Sequence, residues 1–239
     1  MKTIKLTLII SALVISGFAK AQQKINNPEL LKSELDTISK QKLPVNSVAV
    51  NQNGDWIILY GDIGYSFISM PEKLSEKLEN LNKKQVPVKD IDFTGKSGWL
   101  LLAAGNAFYS DSIPEKLSAA LKRINKQGKT ITCFDNFKNA GVLLYGKNSF
   151  FQKGIPENLK KKLNQLKSRN QYIKCVALTK DEGWMVFYGK RGFSYFNIPV
   201  AVSVKVKELV QNGSSLDKIF FIREKWIVIY DNYKYTGNL

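Results

Sequence analysis

The sequence predicts an α+β repeat protein in which five βββα units form a closed, propeller-like ring. Proline recurs every 42 or 43 residues, and a tryptophan position lies 15 residues before the next proline. A fixed period of this length indicates a tandem repeat. The chain also starts with a lone helix pattern and ends with lone strands, so its two ends together make one unit. The prolines are Pro28, Pro71, Pro114, Pro156 and Pro199, and the tryptophan position holds Trp56, Trp99, Gly141, Trp184 and Trp226.

The first 21 residues have the pattern of a signal peptide. Lys2 and Lys5 precede an apolar stretch at residues 6–15, and Ala19 and Ala21 supply the small residues of a cleavage site. The apolar stretch is shorter than the ~20 residues that a membrane-spanning helix needs. We therefore expect a mature chain that begins at Gln22 and is exported, periplasmic or secreted, without a transmembrane anchor.

Each proline precedes a predicted amphipathic helix. Apolar residues follow the proline at the third, seventh and tenth positions, as in Leu31, Leu35 and Ile38, and lysine and glutamate fill the other face. Ser69 and Ser112 lie three residues before a glutamate, which predicts a capping box at two of the helix starts.

Three strands are predicted after each helix. The second strand is apolar on both faces, as in Trp56–Tyr60, which is typical of a strand buried between layers. The third strand starts with an aromatic residue that could either pack in the core, the reading we favour, or line a central pocket as a stacking platform. We expect one domain over residues 22–239, with a helix at 27–41, units at approximately 44–85, 86–128, 129–170 and 171–213, and strands alone at 214–239. The aromatic residues are Tyr65, Phe108, Phe150, Phe193 and Tyr235.

The chain ends decide between two global shapes. In a closed ring the N-terminal helix docks on the C-terminal strands and completes the fifth unit. In an open α/β solenoid that helix would be a cap, and the last sheet would stay uncovered. We favour the ring, because a single unit cannot bury its own apolar faces.

The pattern W-x(4)-[GAD]…[FY]…[IM]-P, seen in Trp56, Gly61, Tyr65 and Met70-Pro71, resembles the tandem repeats of uncharacterised secreted bacterial proteins, a family that implies no function. The architecture also resembles the α/β-propeller of the pentein superfamily, or equally a five-bladed β-propeller with a helix in place of each outer strand. The pentein resemblance would imply a guanidine-modifying enzyme with Cys, His and acidic residues, or a non-catalytic ribosome-binding factor. This sequence has no residue for the His role.

The composition excludes several chemistries. There is no histidine among the 239 residues, which removes Ser-His-Asp and Cys-His catalysis and His-ligated zinc. No phosphate-binding loop, nucleophile elbow or metal-ligand motif is present. Removing Lys2, Lys5 and Lys20 lowers the net charge from +16 to +13, which favours an anionic partner. We expect no cofactor and no metal, and export argues against nucleic acid as the partner.

Basic residues supply the main candidate site. Equivalent turns of a ring lie on one rim, so basic residues at the turns between second and third strands would form a cationic collar. A second basic patch lies on the fourth helix, where a solvated helix face is the alternative reading. The collar residues are Lys147, Lys190, Arg191 and Lys234, and the patch residues are Lys160, Lys161, Lys162, Lys167 and Arg169.

The two cysteines, Cys133 and Cys175, each lie 19 residues after a proline, where the other units have Ser47, Asp90 and Lys218. A disulfide between them is one alternative in an exported protein. Free thiols are favoured, because we expect matching positions of adjacent units to lie farther apart than a disulfide allows. The carboxylates near the strand starts are scattered, and their spacing singles out no catalytic pair.

We therefore expect an exported, non-catalytic binding module that recognises an anionic glycan, an envelope component or an acidic protein through the basic rim. The alternatives are a hydrolase or guanidine-modifying-like enzyme with a central pocket, and a purely structural envelope protein. Repeat-breaking carboxylates or cysteines that converge on the axis would favour the enzyme. Basic side chains spread over a rim would favour the binding module.

Overall fold

The computed structural model describes residues 28–95, 98–137 and 140–239, and the signal-peptide segment lies outside them. In chain order, the first helix and first sheet are α1 (Pro28–Lys40), β1 (Val45–Val50), β2 (Trp56–Tyr60) and β3 (Gly64–Phe67). The second are α2 (Glu72–Lys83), β4 (Val88–Thr94), β5 (Gly98–Ala103) and β6 (Phe108–Asp111). The third are α3 (Glu115–Lys126), β7 (Ile131–Phe137), β8 (Ala140–Tyr145) and β9 (Ser149–Lys153). The fourth are α4 (Glu157–Ser168), β10 (Ile173–Leu178), β11 (Trp184–Tyr188) and β12 (Gly192–Phe196). The fifth are α5 (Val200–Gln211), β13 (Leu216–Ile222), β14 (Lys225–Tyr230) and β15 (Lys234–Gly237).

The described strands form five separate three-stranded antiparallel sheets, each ordered first, second, third strand. The first strands, β1, β4, β7, β10 and β13, all contain a β-bulge one residue before the position that lies 19 residues after the proline. A bulge bends its strand and re-aims the side chains that follow it. The chain is thus a repeat of three-stranded sheets and helices with a propeller-like arrangement.

The helix starts differ from the prediction. Pro71 and Pro114 are themselves the N-cap residues of α2 and α3, and no side-chain hydrogen bond caps either helix. A capping box needs its glutamate at the third helical position, whereas Glu72 and Glu115 are the first helical residues. The prediction of capping boxes at Ser69 and Ser112 is therefore wrong by two residues.

The core lies between the helices and the sheets. The second strands β2 and β5 are buried along their whole length, as are the four tryptophans of the repeat. Gly141 occupies the tryptophan position of β8, and it borders a cavity of about 60 Å³ lined in part by Leu117, Phe134 and Phe151. The missing indole has therefore left a local gap in the packing and has not disrupted the strand.

Neighbouring units contact each other through their first strands, in the order β1, β4, β7, β10, β13, and β13 also contacts β1. In four of the five sheets, a backbone carbonyl in the turn before the third strand accepts a hydrogen bond from the next first strand, as from Val88 N to Asp62 O at 2.9 Å. In the second sheet the acceptor is the side-chain oxygen of Asn106, bonded by Ile131 N at 3.1 Å. The same bond joins the last sheet to the first, from Val45 N to Asn232 O at 3.0 Å.

The N-terminal helix packs on the C-terminal sheet. Leu31 and Leu35 of α1 share a buried cluster with Ile227 and Ile229 of β14. The hydroxyl of Tyr235 on β15 also donates a hydrogen bond to Asp36 of α1 at 2.5 Å.

Candidate functional site

The five residues that lie 19 positions after the prolines meet where the first strands come together. Serine, aspartate, cysteine and lysine occupy this position in different units, although the residue that follows it is apolar in every unit. All are largely buried: Ser47 is fully buried, Asp90 is 3 % exposed, and the Lys218 side chain is 16 % exposed. We call these five residues the floor layer: Ser47, Asp90, Cys133, Cys175 and Lys218.

Asp90 is the centre of the floor layer. Its Oδ1 accepts hydrogen bonds from Ser47 Oγ at 2.7 Å and from Lys218 Nζ at 2.9 Å. Its Oδ2 accepts a hydrogen bond from the backbone N–H of Phe134 at 3.0 Å. The carboxylate of the second unit is therefore bound by the first, third and fifth units.

Lys218 and Cys133 of the floor layer are held in their protonated forms. Burial is the largest influence on the pKa of Lys218 and lowers it, but the Asp90 charge, the neighbouring Cys133 and Cys175 and the hydrogen bond to Asp90 together outweigh it, so the pKa is raised overall and the ammonium stays charged. A hydrogen bond with Cys175 and burial raise the pKa of Cys133 well above its ordinary value. Cys175 in turn donates a hydrogen bond to the carbonyl of Ile219 at 3.7 Å. A protonated lysine and a protonated thiol cannot act as nucleophiles at neutral pH.

A second layer lies two residues further along each first strand. Asp92 Oδ1 accepts a hydrogen bond from the backbone N–H of Phe93 at 2.8 Å. Asp135 Oδ2 accepts a hydrogen bond from the backbone N–H of Leu178 at 2.8 Å. We call this set the upper layer: Ala49, Asp92, Asp135, Ala177 and Phe220.

The carboxyl groups of the upper layer have shifted pKa values. Burial raises the pKa of Asp135 to about 7. Burial, together with the charges of Asp135 and Asp90, raises the pKa of Asp92 well above its ordinary value. Asp92 Oδ2 is buried and has no hydrogen-bond partner among the described residues.

Both layers border a central cavity of about 330 Å³. The cavity extends from the floor layer to the hairpins that follow the first strands, where Asn51, Gln52 and Arg223 line it. Its volume is at the lower end of the range of small-molecule pockets. Five phenyl rings add apolar surface to its lining: Phe93, Phe134, Phe137, Phe220 and Phe221.

The predicted collar residues lie at the other end of the strands. Lys147, Lys190 and Arg191 are exposed in the turns before β9 and β12, and Lys234 is exposed at the start of β15. The carbonyls of Lys147 and Lys190 accept equivalent hydrogen bonds from the starts of β10 and β13, at 3.1 Å in both cases. These basic residues therefore lie on one face of the molecule, and ligand binding there stays a prediction.

The collar is not uniformly basic. The equivalent turns of the first and fifth sheets carry Asp62 and Asp231, and Asp231 pairs with Lys234 at 3.3 Å. The net positive charge of the turns therefore comes from Lys147, Lys190 and Arg191, which have no acidic neighbour in their own turns.

The helix ends add more basic residues to this face. Of these, the sequence predicted only Lys167 and Arg169 as candidate site residues, in the patch on α4. The loop between each helix and the next first strand is bonded to the turn, as from Gly61 N to Pro44 O at 2.8 Å and from Gly146 N to Thr130 O at 2.7 Å. The C-terminal ends of the helices therefore lie beside the turns. We call the surface formed by these turns and helix ends the turn face, and its exposed helix-end residues are Lys40, Lys42, Lys83, Lys84, Arg123, Lys126, Lys129, Lys167 and Arg169.

The predicted patch on α4 is divided between two surfaces. Lys167 and Arg169 belong to the turn face. Lys160 lies 3.4 Å from Glu157, and the Lys162 ammonium lies over the ring of Tyr188 at 5.1 Å, while Lys161 is exposed. The two partnered lysines are thus engaged with their own helix or sheet.

The aromatic residues that begin the third strands are core residues. They pack against the buried clusters under the helices, and none of them lines the central cavity. The favoured prediction of core packing is confirmed.

The two cysteine thiols are both free and buried. Cys133 and Cys175 lie close enough to share a hydrogen bond, because the first strands of adjacent units pack side by side. A signal for the floor layer was present in the sequence: four residue types occupy one position of the repeat, directly before a position that is apolar in every unit.

No protein-family model matches the chain, and no curated protein sequence matches it. Among solved structures it is similar to YCF48 from Cyanidioschyzon merolae, with a TM-score of 0.36 and 9% identity over 78% of this chain. It is also similar to YCF48 bound to D1 peptide, with a TM-score of 0.32 and 6% identity over 82% of this chain. A catalytically inactive virginiamycin B lyase from Staphylococcus aureus with quinupristin gives a TM-score of 0.28 and 10% identity over 83% of this chain and 70% of the lyase. The chain spans 64% of the length of each YCF48 chain.

Within the described residues, no helix combines the length and the apolar character that crossing a membrane requires.

Proposed function

We propose that the protein is an exported, closed five-unit ring that acts as a non-catalytic binding module for an anionic partner, through the turn face. The observation that carries the proposal is that the topology collects the basic turns and the basic helix ends on one face. The partner class is an anionic polysaccharide, another anionic envelope component or an acidic protein, since dense exposed positive charge attracts each of these.

Contacts between the two chain ends support the closed ring. The bond from Val45 N to Asn232 O repeats the bond found between consecutive units. The ion pair of Lys218 with Asp90 joins the fifth unit to the second across 128 residues of sequence. An open solenoid would bring neither pair together.

Charge separation along the helices supports the choice of face. Glu72, Glu115 and Glu157 are the first residues of α2, α3 and α4, whereas the last turns of these helices carry Lys83, Arg123, Lys126 and Lys167. Such placement complements the helix dipoles, and the last turns of α1 to α4 all carry basic residues, whereas the last turn of α5 carries none.

The test is binding of the chain from Gln22 onward to peptidoglycan, lipopolysaccharide, acidic and neutral polysaccharides and DNA, at low and high salt. We expect binding to an anionic polymer that weakens as salt rises, since exposed charges are screened. The double variant Lys190→Glu/Arg191→Glu should bind the polymer at least about tenfold more weakly. The matched control, Lys73→Glu together with Lys116→Glu at helix starts on the opposite face, should bind it as the parent chain does.

If the control variant loses as much polymer binding, then binding depends on the net charge of the protein and not on a particular face. Binding to a neutral glycan that does not depend on salt would contradict the role of the turn face. Failure to bind any polymer would leave an acidic protein partner or a purely structural envelope role.

A second candidate function is a pocket enzyme, and the convergence of Asp90, Asp92, Asp135 and both cysteines at the central cavity favours it. Asp92 and Asp135 are the two groups there that could exchange protons with a substrate, because both have a raised pKa. Hydrolysis of nitrophenyl glycosides and esters that Asp135→Asn abolishes would support this candidate, and equal rates for Asp135→Asn and the unsubstituted chain would reject it.

A further inference from the structure

The central cavity contains a polar acceptor that the described protein leaves unpaired. Asp92 is anchored through Oδ1, which accepts the backbone N–H of Phe93 on β4 at 2.8 Å. Its Oδ2 is buried without a hydrogen-bond partner. Buried polar atoms are nearly always paired in folded proteins, so an orphaned carboxylate oxygen at a cavity indicates a missing donor.

The upper layer contains two carboxyl groups and no cationic side chain. Lys218 is committed to Asp90 at 2.9 Å in the floor layer below. Arg223 lines the mouth, where its guanidinium donates to the carbonyl of Gln52. Asp92 and Asp135 therefore have no cationic partner among the described residues, and the charge of Asp135 makes Asp92 harder to ionise. A bound cation would remove that repulsion.

The rest of the lining favours an organic cation over a metal ion. No group of three or more acidic or thiol side chains that could hold a metal ion occurs among the described residues. Phe93, Phe134 and Phe220 contribute aromatic surface, which attracts ammonium and guanidinium groups and also packs apolar substituents. The upper layer leaves room for such a ligand because Ala49 is small.

We propose that the central cavity binds a small organic cation, an ammonium or guanidinium group that carries an apolar substituent. Its N–H groups donate to Asp92 Oδ2 and to the carboxylate of Asp135, and its substituent packs among the phenyl rings. This site is separate from the turn face, since none of the residues that form the turn face lines the cavity. It would exist whether or not the turn face binds a polymer.

The test is calorimetric titration and thermal shift of the chain from Gln22 onward, at pH 8, with phenethylamine and benzamidine as cationic probes. The neutral probes 2-phenylethanol and benzamide have nearly the same shapes and serve as ligand controls. We expect both cations to bind and to raise the unfolding temperature, at high salt as well as low, and the neutral probes to bind at least about tenfold more weakly.

Two kinds of variant locate the site. The double variant Asp92→Asn/Asp135→Asn should lower the affinity for both cationic probes at least about tenfold. The matched double variant Asp62→Asn/Asp181→Asn, at two exposed carboxylates, should leave that affinity unchanged. Ala49→Leu fills the cavity without altering its charge and should also abolish binding, so the conclusion does not depend on the folding of one variant.

Three results would overturn the proposal. They are equal affinity for charged and neutral probes, binding retained in both cavity variants, and no binding of either cation at millimolar concentration. The polymer-binding assay of the turn face uses different residues and ligands, so either proposal can fail alone.

Discussion

Replacing Lys218 by methionine should destabilise the protein by about 3–5 kcal/mol, because it removes the charged partner of a buried carboxylate. Asp90 is only 3 % exposed. Of its three donors, the hydroxyl of Ser47 and the N–H of Phe134 would remain, and both are uncharged. Methionine matches the length of lysine, so most of the packing around the aliphatic stem should be kept.

The magnitude follows from the geometry of the pair. Unit charges at the observed 2.9 Å attract by about 6 kcal/mol at an effective dielectric constant of 20, before desolvation is subtracted. Asp90→Asn alone should be costly as well, because it leaves the Lys218 ammonium without its carboxylate. The double variant loses both charges together, so it should cost about 2–3 kcal/mol less than the two single changes added.

The assay is urea unfolding at pH 7, followed by tryptophan fluorescence, for the parent chain, the two single variants and the double variant. The ion pair of Lys180 with Glu224, which joins two exposed side chains, is the control, and its cycle should show no measurable coupling. Coupling between Asp90 and Lys218 below about 0.5 kcal/mol would refute the reasoning. It would mean that the fifth unit does not meet the second, as in an open solenoid.

Three further predictions concern the core and the cavity. Leu35→Ala should lower the free energy of unfolding by about 2–5 kcal/mol in urea, because α1 docks on the last sheet through this buried side chain. Leu30→Ala, at a side chain 50% exposed on the same helix, should change it little. Equal effects of the two substitutions would mean that α1 does not dock there. Asp135 has a pKa of about 7 in the folded protein, above its value in the unfolded chain. Its contribution to the free energy of unfolding is therefore present below pH 4 and is lost, by about 4 kcal/mol, as the pH rises to about 7. Asp135→Asn should remove this decline, and parallel pH profiles for the two proteins would contradict the shift. Cys133 and Cys175 should resist iodoacetamide at pH 8 in the folded protein and both react in urea, so rapid labelling of the folded chain, or fewer than two thiols after unfolding, would contradict two buried free thiols.

The repeat period predicts most of the secondary structure, because each unit solves the same packing problem with the same residue types. The apolar stripe of α1 and the doubly apolar second strands are consequences of burial on one side and on both sides, and both are visible in a single unit. The helix starts were less predictable. Ser69 and Glu72 have the spacing of a capping box, but Pro71 already fixes the backbone at the N-cap.

The candidate site was only partly predictable, because it depends on contacts between units. The basic turns could be assigned to one rim from their equivalent positions, yet the basic helix ends join that rim only through loop hydrogen bonds such as Gly61 N to Pro44 O. The floor layer is harder still. Ser47, Asp90 and Lys218 lie far apart in sequence. They come together because of the bulges and because the first strands pack side by side, and the spacing of the repeat predicts neither of these features.

The five sheets stay separate, so the hydrogen bonds between neighbouring first strands are made largely by side chains such as Ser47, Asp90 and Asp135. The backbone hydrogen bonds within each sheet do not depend on those side chains, although changing them alters the contacts between units. Each unit contributes one residue to the floor layer and one to the upper layer, and point substitutions at these positions can alter the charge, size and hydrogen bonding of the cavity. A repeat protein built this way can acquire a new ligand preference by single-codon changes, while the surrounding units keep their common form.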